Sequence, residues 1–294
     1  MDLAILTEKR YLQKQPGNSY VENIFKEDGL IQNSLESIGI KCSRVAWDDN
    51  FNPSLFRYAL FRTTWNYFDE LNNFINFLKT CQNRVSLINS REQILWNLNK
   101  KYLLELQFSG INIPATHFVK KGESCDFIQI CRDYNWEDVV IKPCVSAAAW
   151  NTHHIKKINS EANNVFKNLV KDHDMLIQVF QKNILIFGEV SIMLIGGQYS
   201  HAVLKKAKKD DFRVQDDFGG TVAQYSPSFQ EIQFAENVIN HISFKPIYAR
   251  VDIILDNNNR IALSELELIE PEMWFRFCPS AAENIALKIK SHME

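Results

Sequence analysis

Cysteine pairing is missing from this chain. Its six cysteines, Cys42, Cys81, Cys125, Cys131, Cys144 and Cys278, form no C-x-x-C pair, so neither a zinc site nor a disulfide framework is indicated. Free thiols in a reducing compartment are the simpler reading. Long apolar runs are missing too. No stretch approaches the ~18 residues of a membrane span. The opening MDLAILTEKR carries only four consecutive apolar residues before charge, too few for a signal-peptide core. The expectation is a cytoplasmic protein with no membrane contact. An excess of one charge is also absent: 33 basic and 35 acidic residues leave a net charge of −2, which offers no global attraction for nucleic acid. Any phosphate must therefore meet a local basic cluster. Ten glycines and eight prolines in 294 residues are too few for a collagenous or low-complexity chain. The 46% hydrophobic content can bury a core, and a length prior of ~150 residues per domain suggests about two domains.

What is present is alternation. Leu3 to Leu6, Ile40 to Trp47, Tyr58 to Phe61 and Val85 to Ile88 read as strands separated by amphipathic stretches, the pattern of βαβ units and a parallel sheet. Ile94, Leu95, Leu98, Tyr102 and Leu106 recur at three- and four-residue steps, predicting one helix from Arg91 to Phe108 that links two domains. Beyond Pro114 a compact α+β unit follows: strands at Thr116 to Val119, Val139 to Lys142 and Met175 to Phe180, helices at Phe127 to Tyr134 and Glu161 to Val170. Longer β segments occupy Gly188 to Ile195, Gln198 to Lys205, Ile247 to Leu255 and Arg260 to Ile269, with helices near Phe229 to Ile242 and Ala281 to His292.

The segment Ile247 to Pro271, IYARVDIILDNNNRIALSELELIEP, places two strand-like runs around a cluster of turn formers and reads as a β-hairpin. A symmetric four-residue loop, Asp256 to Asn259, pairs Arg250 with Glu265 and Asp252 with Leu263. Alternation then sets Arg250, Asp252, Glu265 and Glu267 on one face, with Val251, Ile253, Leu255, Leu266 and Leu268 on the other. Three carboxylates at cross-strand distances of roughly 5 Å repel and require compensating positive charge. An oxygen-only set suits Mg²⁺ better than zinc. The alternative is a solvated face of mixed charges, and a loop one residue longer or shorter breaks the shared face.

Two basic segments could hold a nucleotide. Lys142 ends a short strand at Pro143, ahead of the small-residue run Val145-Ser-Ala-Ala-Ala-Trp-Asn-Thr152, whose backbone could approach a phosphate closely. A solvated strand end is the plain alternative. The second, His201 to Gly220, reads as a strand running into a basic loop with a glycine pair, either a solvated loop or one that closes over phosphates.

Taken in order, Asn99-Lys100, Val140-Ile-Lys-Pro143, Gln178-Val-Phe180, Gly188-Glu-Val-Ser191, Asp211-Phe-Arg-Val-Gln215, Arg250-Val-Asp252 and Glu265-Leu-Glu267 resemble the ATP-grasp superfamily of ATP-dependent carboxylate ligases. The resemblance covers roughly residues 1 to 290. With Arg62-Thr-Thr-Trp-Asn-Tyr67 and ELELIEP, the chain is most similar to the glutathione-synthetase and ribosomal-protein-modifying group, particularly its cycloserine-forming cyclo-ligases.

The resemblance implies an α/β and α+β chain with an ATP-grasp fold of three subdomains. These are an N-terminal α/β unit over 1–95, a linker helix with a small central unit over 96–182, and a C-terminal unit over 183–294. ATP would lie between the central and C-terminal units. Carried over, Lys100 and Lys142 would contact phosphates and the base side of the nucleotide, Gln178, Val179 and Phe180 would border adenine, and Glu189 would bind ribose. Asp252, Glu265 and Glu267 would hold Mg²⁺, Lys205 and Arg213 would belong to a lid over 207–220, and Arg250 would steady an acyl phosphate. Arg62, Trp65 and Tyr67, past a predicted strand end, are the candidates for the acceptor, since an arginine among aromatics can hold a carboxylated small molecule. Packing at the strand end is their alternative role. Two departures stand out: alanines at 147–149 where many members have glycine, and Lys101 as a competitor for Lys100.

The implied reaction activates a carboxylate with ATP and condenses it with an amine, from an amino acid or short peptide, or closes a ring, releasing ADP and phosphate. A homodimer is one allowed assembly. The competing functions are a small-molecule kinase on the same scaffold and a nucleotide-binding regulatory protein without turnover.

Overall fold

The computed structural model describes residues 1–15, 17–208, 211–214 and 219–294. The first unit is a parallel sheet of β1 (Leu3–Thr7), β2 (Cys42–Ala46), β3 (Tyr58–Thr63) and β4 (Ser86–Ile88), in the order β2-β1-β3-β4. Every residue of β1 is buried, as a central parallel strand covered on both faces requires. Its crossovers carry α1 (Ser19–Ser37) and α2 (Leu71–Cys81).

The single helix expected from Arg91 to Phe108 is two helices, α3 (Arg91–Asn97) and α4 (Tyr102–Phe108). A Ser90/Gln93 capping box starts α3. The chain then breaks over 98–101, where the Lys100 amide donates to Cys144 O at 2.8 Å instead of continuing the helical ladder. Periodicity could not reveal this, because the three- and four-residue spacing runs through the break although Ile94 and Leu98 pack in one core and Tyr102, Leu103 and Leu106 in another.

The central unit is an antiparallel sheet of β5 (Thr116–Val119), β6 (Val139–Pro143), β7 (His153–Ile155) and β8 (Met175–Val179), ordered β5-β8-β6-β7. Its helices α5 (Phe127–Asp133) and α6 (Ser160–Val170) cover one face, with Phe127 stacked on Phe166 at 5.3 Å. Strand β6 runs one residue past Lys142, through Pro143. After α7 (Ile184–Phe187), the third unit is an antiparallel sheet of β9 (Glu189–Ile195), β10 (Gln198–Lys206), β11 (Thr221–Tyr225), β12 (Tyr248–Leu255) and β13 (Ile261–Glu267). Its order is β11-β10-β9-β12-β13. Gly196 and Gly197, at φ 61° and 83°, form the two-residue turn between β9 and β10, a conformation with positive φ at both positions. Helices α8 (Phe229–Asn240) and α9 (Ser280–Met293) follow.

The cores do not respect the sheet boundaries. Tyr102, Leu103 and Leu106 of α4 pack into the core under β9, β12 and β13. Helix α9 returns to α1, so that Leu3, Ile31 and Leu35 share one core with Tyr248, Phe275 and Ile285. The first and third units are thereby joined by apolar packing, and the central unit has a core of its own while also sending Leu176 and Cys144 into the core under the third sheet. Among the described residues no helix is long and apolar enough to cross a membrane, and all six cysteines are free.

Candidate active site

The three sheets surround one cleft of about 540 Å³, lined from the first unit by Arg10, Tyr11, Trp65 and Tyr67, from the central unit by Lys142, Ser146 and Phe180, and from the third by the charged hairpin. The hairpin forms, but not in the expected register. Asp256 N donates to Arg260 O, closing a three-residue loop with Asn259 at φ 59°, and the strands first pair Leu255 with Ile261 and Ile253 with Leu263. Continued unchanged, that register would turn Glu265 to the apolar face. A bulge between Asp252 and Ile253, which leaves Ser264 unpaired, shifts the ladder by one residue, so Asp252 faces Glu265 and Arg250 faces Glu267. The shared face therefore exists, while the pairs Arg250 with Glu265 and Asp252 with Leu263 do not.

Cations from four segments meet this row. Lys205 Nζ lies 3.1 Å from Asp252 and 2.5 Å from Glu189, its cross-strand partner. Arg250 donates from Nε and Nη2 to Asp252 at 3.0 Å and from Nη2 to Glu267. Ser191 Oγ donates to Asp252 at 2.6 Å. Lys100 Nζ lies 3.1 Å from Glu265 and donates to Ser146 O at 2.5 Å. Burial alone would raise the pKa of Asp252, but Arg250 and Lys205 overcome it and hold the carboxylate well below its ordinary range. Burial likewise works against Glu265, and Lys100 and Lys142 lower it. Glu267 goes the other way. Desolvation, only partly offset by Arg250, with repulsion from Glu265 and Asp252, pushes it up to about 7. Only at Glu267 do desolvation and the neighbouring carboxylates outweigh the cations.

Lys142 is the cleft cation without an ion pair within 4 Å among the described residues, and burial lowers its pKa. Lys101 is exposed, its Nζ 4.7 Å from the Phe118 ring centre, so Lys100 is the cleft residue of the two. The small-residue loop lines the cleft, and Ala148 and Ala149 adopt φ of 47° and 53°, the left-handed region that glycine would enter without strain. Gln178 Nε2 donates to Thr116 Oγ1 at 2.8 Å, Val179 lies beside it, and Phe180 stacks on His154 at 3.8 Å. Phe212 meets both rings edge-on.

Two placements correct the sequence reading. Lys205 is not in a lid: it lies within β10, 4% exposed, facing Asp252. Gly188 permits this packing, because a Cβ there would sit 2.3 Å from Lys205 O. Of the proposed lid, Arg213 lines the cleft and chelates Asp211, holding that carboxyl well below its ordinary range, while residues 209–210 and 215–218 lie outside the described residues. The second correction is Arg62. Strand β3 extends to Thr63, so Arg62 sits inside it, 3% exposed and off the cleft, donating to Pro271 O at 3.1 Å and to Glu27 at 3.5 Å. Trp65 and Tyr67 do line the cleft.

Sequence reasoning missed the residues beside them. Arg10 and Tyr11 follow β1, and Tyr20 opens α1. These lie at the carboxyl ends of β1 and β3, the switch point of a 2-1-3-4 sheet, where open α/β folds bind ligands. Among the described residues the Arg10 side chain hydrogen-bonds through Nε alone, to Glu8, and its guanidinium carbon lies 4.7 Å from the Tyr11 ring centre. Tyr11, Tyr20 and Trp65 form an aromatic triangle with centroids 6.0 to 6.3 Å apart. The strand order was the signal that could have located them.

Comparison with known proteins agrees with this geometry. Residues 3–89 match the N-terminal domain of D-cycloserine synthetase DcsG, and residues 101–271 match the prokaryotic glutathione synthetase ATP-grasp domain. The cycloserine biosynthesis protein DcsG of Streptomyces lavendulae is 21% identical over 283 residues, covering 89% of this chain and 92% of its own. The crystal structure of D-cycloserine synthetase DcsG superposes with a TM-score of 0.85 at 20% identity over 100% of both chains. The D-alanine–D-alanine ligase of Bacillus anthracis, solved with ATP, has a TM-score of 0.67 at 11% identity, covering 100% of this chain and 97% of its own. With the glutathione synthetase ATP-grasp domain matching more than half of its length, the chain belongs to the ATP-grasp family of ATP-dependent carboxylate–amine ligases.

Proposed function

We propose that the cleft uses ATP and Mg²⁺ to convert a small-molecule carboxylate, from an amino acid or short peptide, into an acyl phosphate that an amine then attacks. One observation carries this: the bulge-corrected row of Asp252, Glu265 and Glu267 faces Lys100, Lys142, Lys205 and Arg250 inside a cleft bounded by three sheets. A carboxylate alone does not condense with an amine at neutral pH, since its leaving group would be oxide.

The donor chemistry fits Mg²⁺. Among the described residues no three donors converge as a ready cage, which suits an ion that takes one or two carboxylates and completes its shell with water and phosphate. One or two of Asp252, Glu265 and Glu267 would hold it, and it would supply charge neutralisation between the phosphates and the acidic row. The chain's own cations do the rest. Lys142, without an ion pair among the described residues, and Lys100, beside the small-residue loop, would bind phosphate oxygens. Gln178, Val179 and Phe180 would border the base, and Glu189 the ribose. Arg250 and Lys205 would stabilise charge developing on the transferred group and on the tetrahedral intermediate. Arg213 would approach from the loop after β10.

For the acceptor, Trp65 and Tyr67 remain candidates, and Arg10 takes the role first given to Arg62, since its two Nη groups make no hydrogen bond among the described residues. A ring-closing version of the same chemistry is favoured by the match of residues 3–89 to the DcsG N-terminal domain. The six free thiols support work in the reducing cytoplasm.

The test is ADP release from MgATP over a panel of amino acids and short derivatives, offered singly and in pairs. A condensed product formed with equal ADP and phosphate supports the proposal, and turnover with a single organic substrate supports ring closure. A stable phosphorylated product would identify a kinase. Nucleotide binding without ADP over the whole panel would identify a regulatory protein.

A further inference from the structure

Residues 270–274 form a strap across the hairpin face, and the first four are each held by a side chain from another segment. Trp65 Nε1 donates to Glu270 O at 3.1 Å, and Arg62 to Pro271 O at 3.1 Å. Arg250 Nη1 donates to Glu272 O at 3.4 Å. Met273 N donates to Glu27 at 3.0 Å, and its carbonyl accepts from His201 Nε2 at 2.6 Å. The strap ends in Trp274 at φ 47°, a conformation that a tryptophan adopts only when its surroundings impose it.

That imposed backbone presents one ring to two cations. The Arg250 guanidinium carbon lies 4.9 Å and Lys205 Nζ 5.6 Å from the ring centre. Both cations bond Asp252, so two like charges converge on one carboxylate and repel each other. The negative face of an indole attracts both. The Trp274 N–H is buried and has no acceptor among the described residues, so the ring serves through its face and not through its donor.

We propose that Trp274 is a positioning residue, whose π-face holds Arg250 and Lys205 together over Asp252 in the arrangement that receives the terminal phosphates, with the first unit fixing it there through the strap. This rests on the phosphate roles given to Arg250 and Lys205 above. The source of the effect is the ring's quadrupole and not its bulk, so Trp274→Phe and Trp274→Met, both apolar and close in size, should differ.

Calorimetry with MgAMP-PNP should give affinities within about threefold of the unchanged protein for Trp274→Phe and about tenfold weaker for Trp274→Met, at equal melting temperatures. A second readout needs no nucleotide: solvent exchange of the Arg250 Nε–H, followed by ¹⁵N NMR and assigned by its loss in Arg250→Lys, should be about tenfold faster in the Met variant and close to unchanged in the Phe variant. Should that pair fold poorly, Trp274→Tyr and Trp274→Leu repeat the comparison. Equal behaviour of the aromatic and aliphatic variants, whether both unchanged or both impaired, would overturn the proposal. Failure of the unchanged protein to bind the analogue would count against the phosphate roles, leaving exchange at Arg250 to decide the positioning.

Discussion

Replacing Glu267 with Gln should make the free protein more stable and the enzyme worse. The carboxyl is held at about 7, first by desolvation and then by repulsion from Glu265 and Asp252, against an ordinary 4.5. One pKa unit corresponds to about 1.4 kcal/mol, so keeping this group ionised at pH 8 costs the fold roughly 3 kcal/mol at most. An acid with a raised folded pKa contributes stability that is fully present below about 4.5 and is lost as pH rises through 7. Gln imitates the protonated form and keeps an acceptor for Arg250. Glu267→Gln should therefore match the unchanged protein at pH 4 and exceed it at pH 8 by about 1–3 kcal/mol, a few degrees in melting temperature for a chain of this size. Its metal-dependent ADP formation should fall. Thermal melts of both proteins from pH 4 to pH 8 make the measurement. A variant less stable than the parent at pH 8 would mean that Arg250 fully compensates the carboxylate, and the account of a desolvated, repelled Glu267 would be wrong.

Glu265→Gln should leave the fold intact and reduce metal-dependent ADP formation by ~10², the scale of losing one group that stabilises charge in the transition state; undiminished turnover would remove Glu265 from the site. Arg10→Lys should raise the acceptor KM about tenfold while leaving the KM for ATP unchanged, whereas Arg62→Lys should lower the melting temperature by loosening the clasp on Pro271. The opposite pattern would return Arg62 to the substrate.

The layout of the chain was legible because strands and helices carry different periods. Strands from β1 to β6 and the long strands of the third sheet lie where alternation put them. The elements that escaped are short or locally disguised: β7 is three residues, His153–Ile155, directly after the small-residue run, and β11 follows the basic segment. The acidic face was legible for a subtler reason. The actual loop is one residue shorter than assumed, and the bulge at Ser264 restores the parity that the shorter loop removes. Sequence alternation records which residues share a face but not how many backbone steps separate them. Arg62 shows the complementary limit. An arginine near a strand end has the right chemistry for a substrate carboxylate, yet its partners Glu27 and Pro271 lie 35 and 209 positions away, and only the folded chain reveals that it is already engaged.

The central claim, activation of a carboxylate by phosphoryl transfer, is tested most directly by following oxygen. With a substrate identified from the ADP screen and its carboxylate labelled with ¹⁸O, turnover with MgATP should move one labelled oxygen into the released inorganic phosphate, one for each ADP formed. Phosphate free of label, or label retained in a phosphorylated organic product, would contradict ligation through an acyl phosphate.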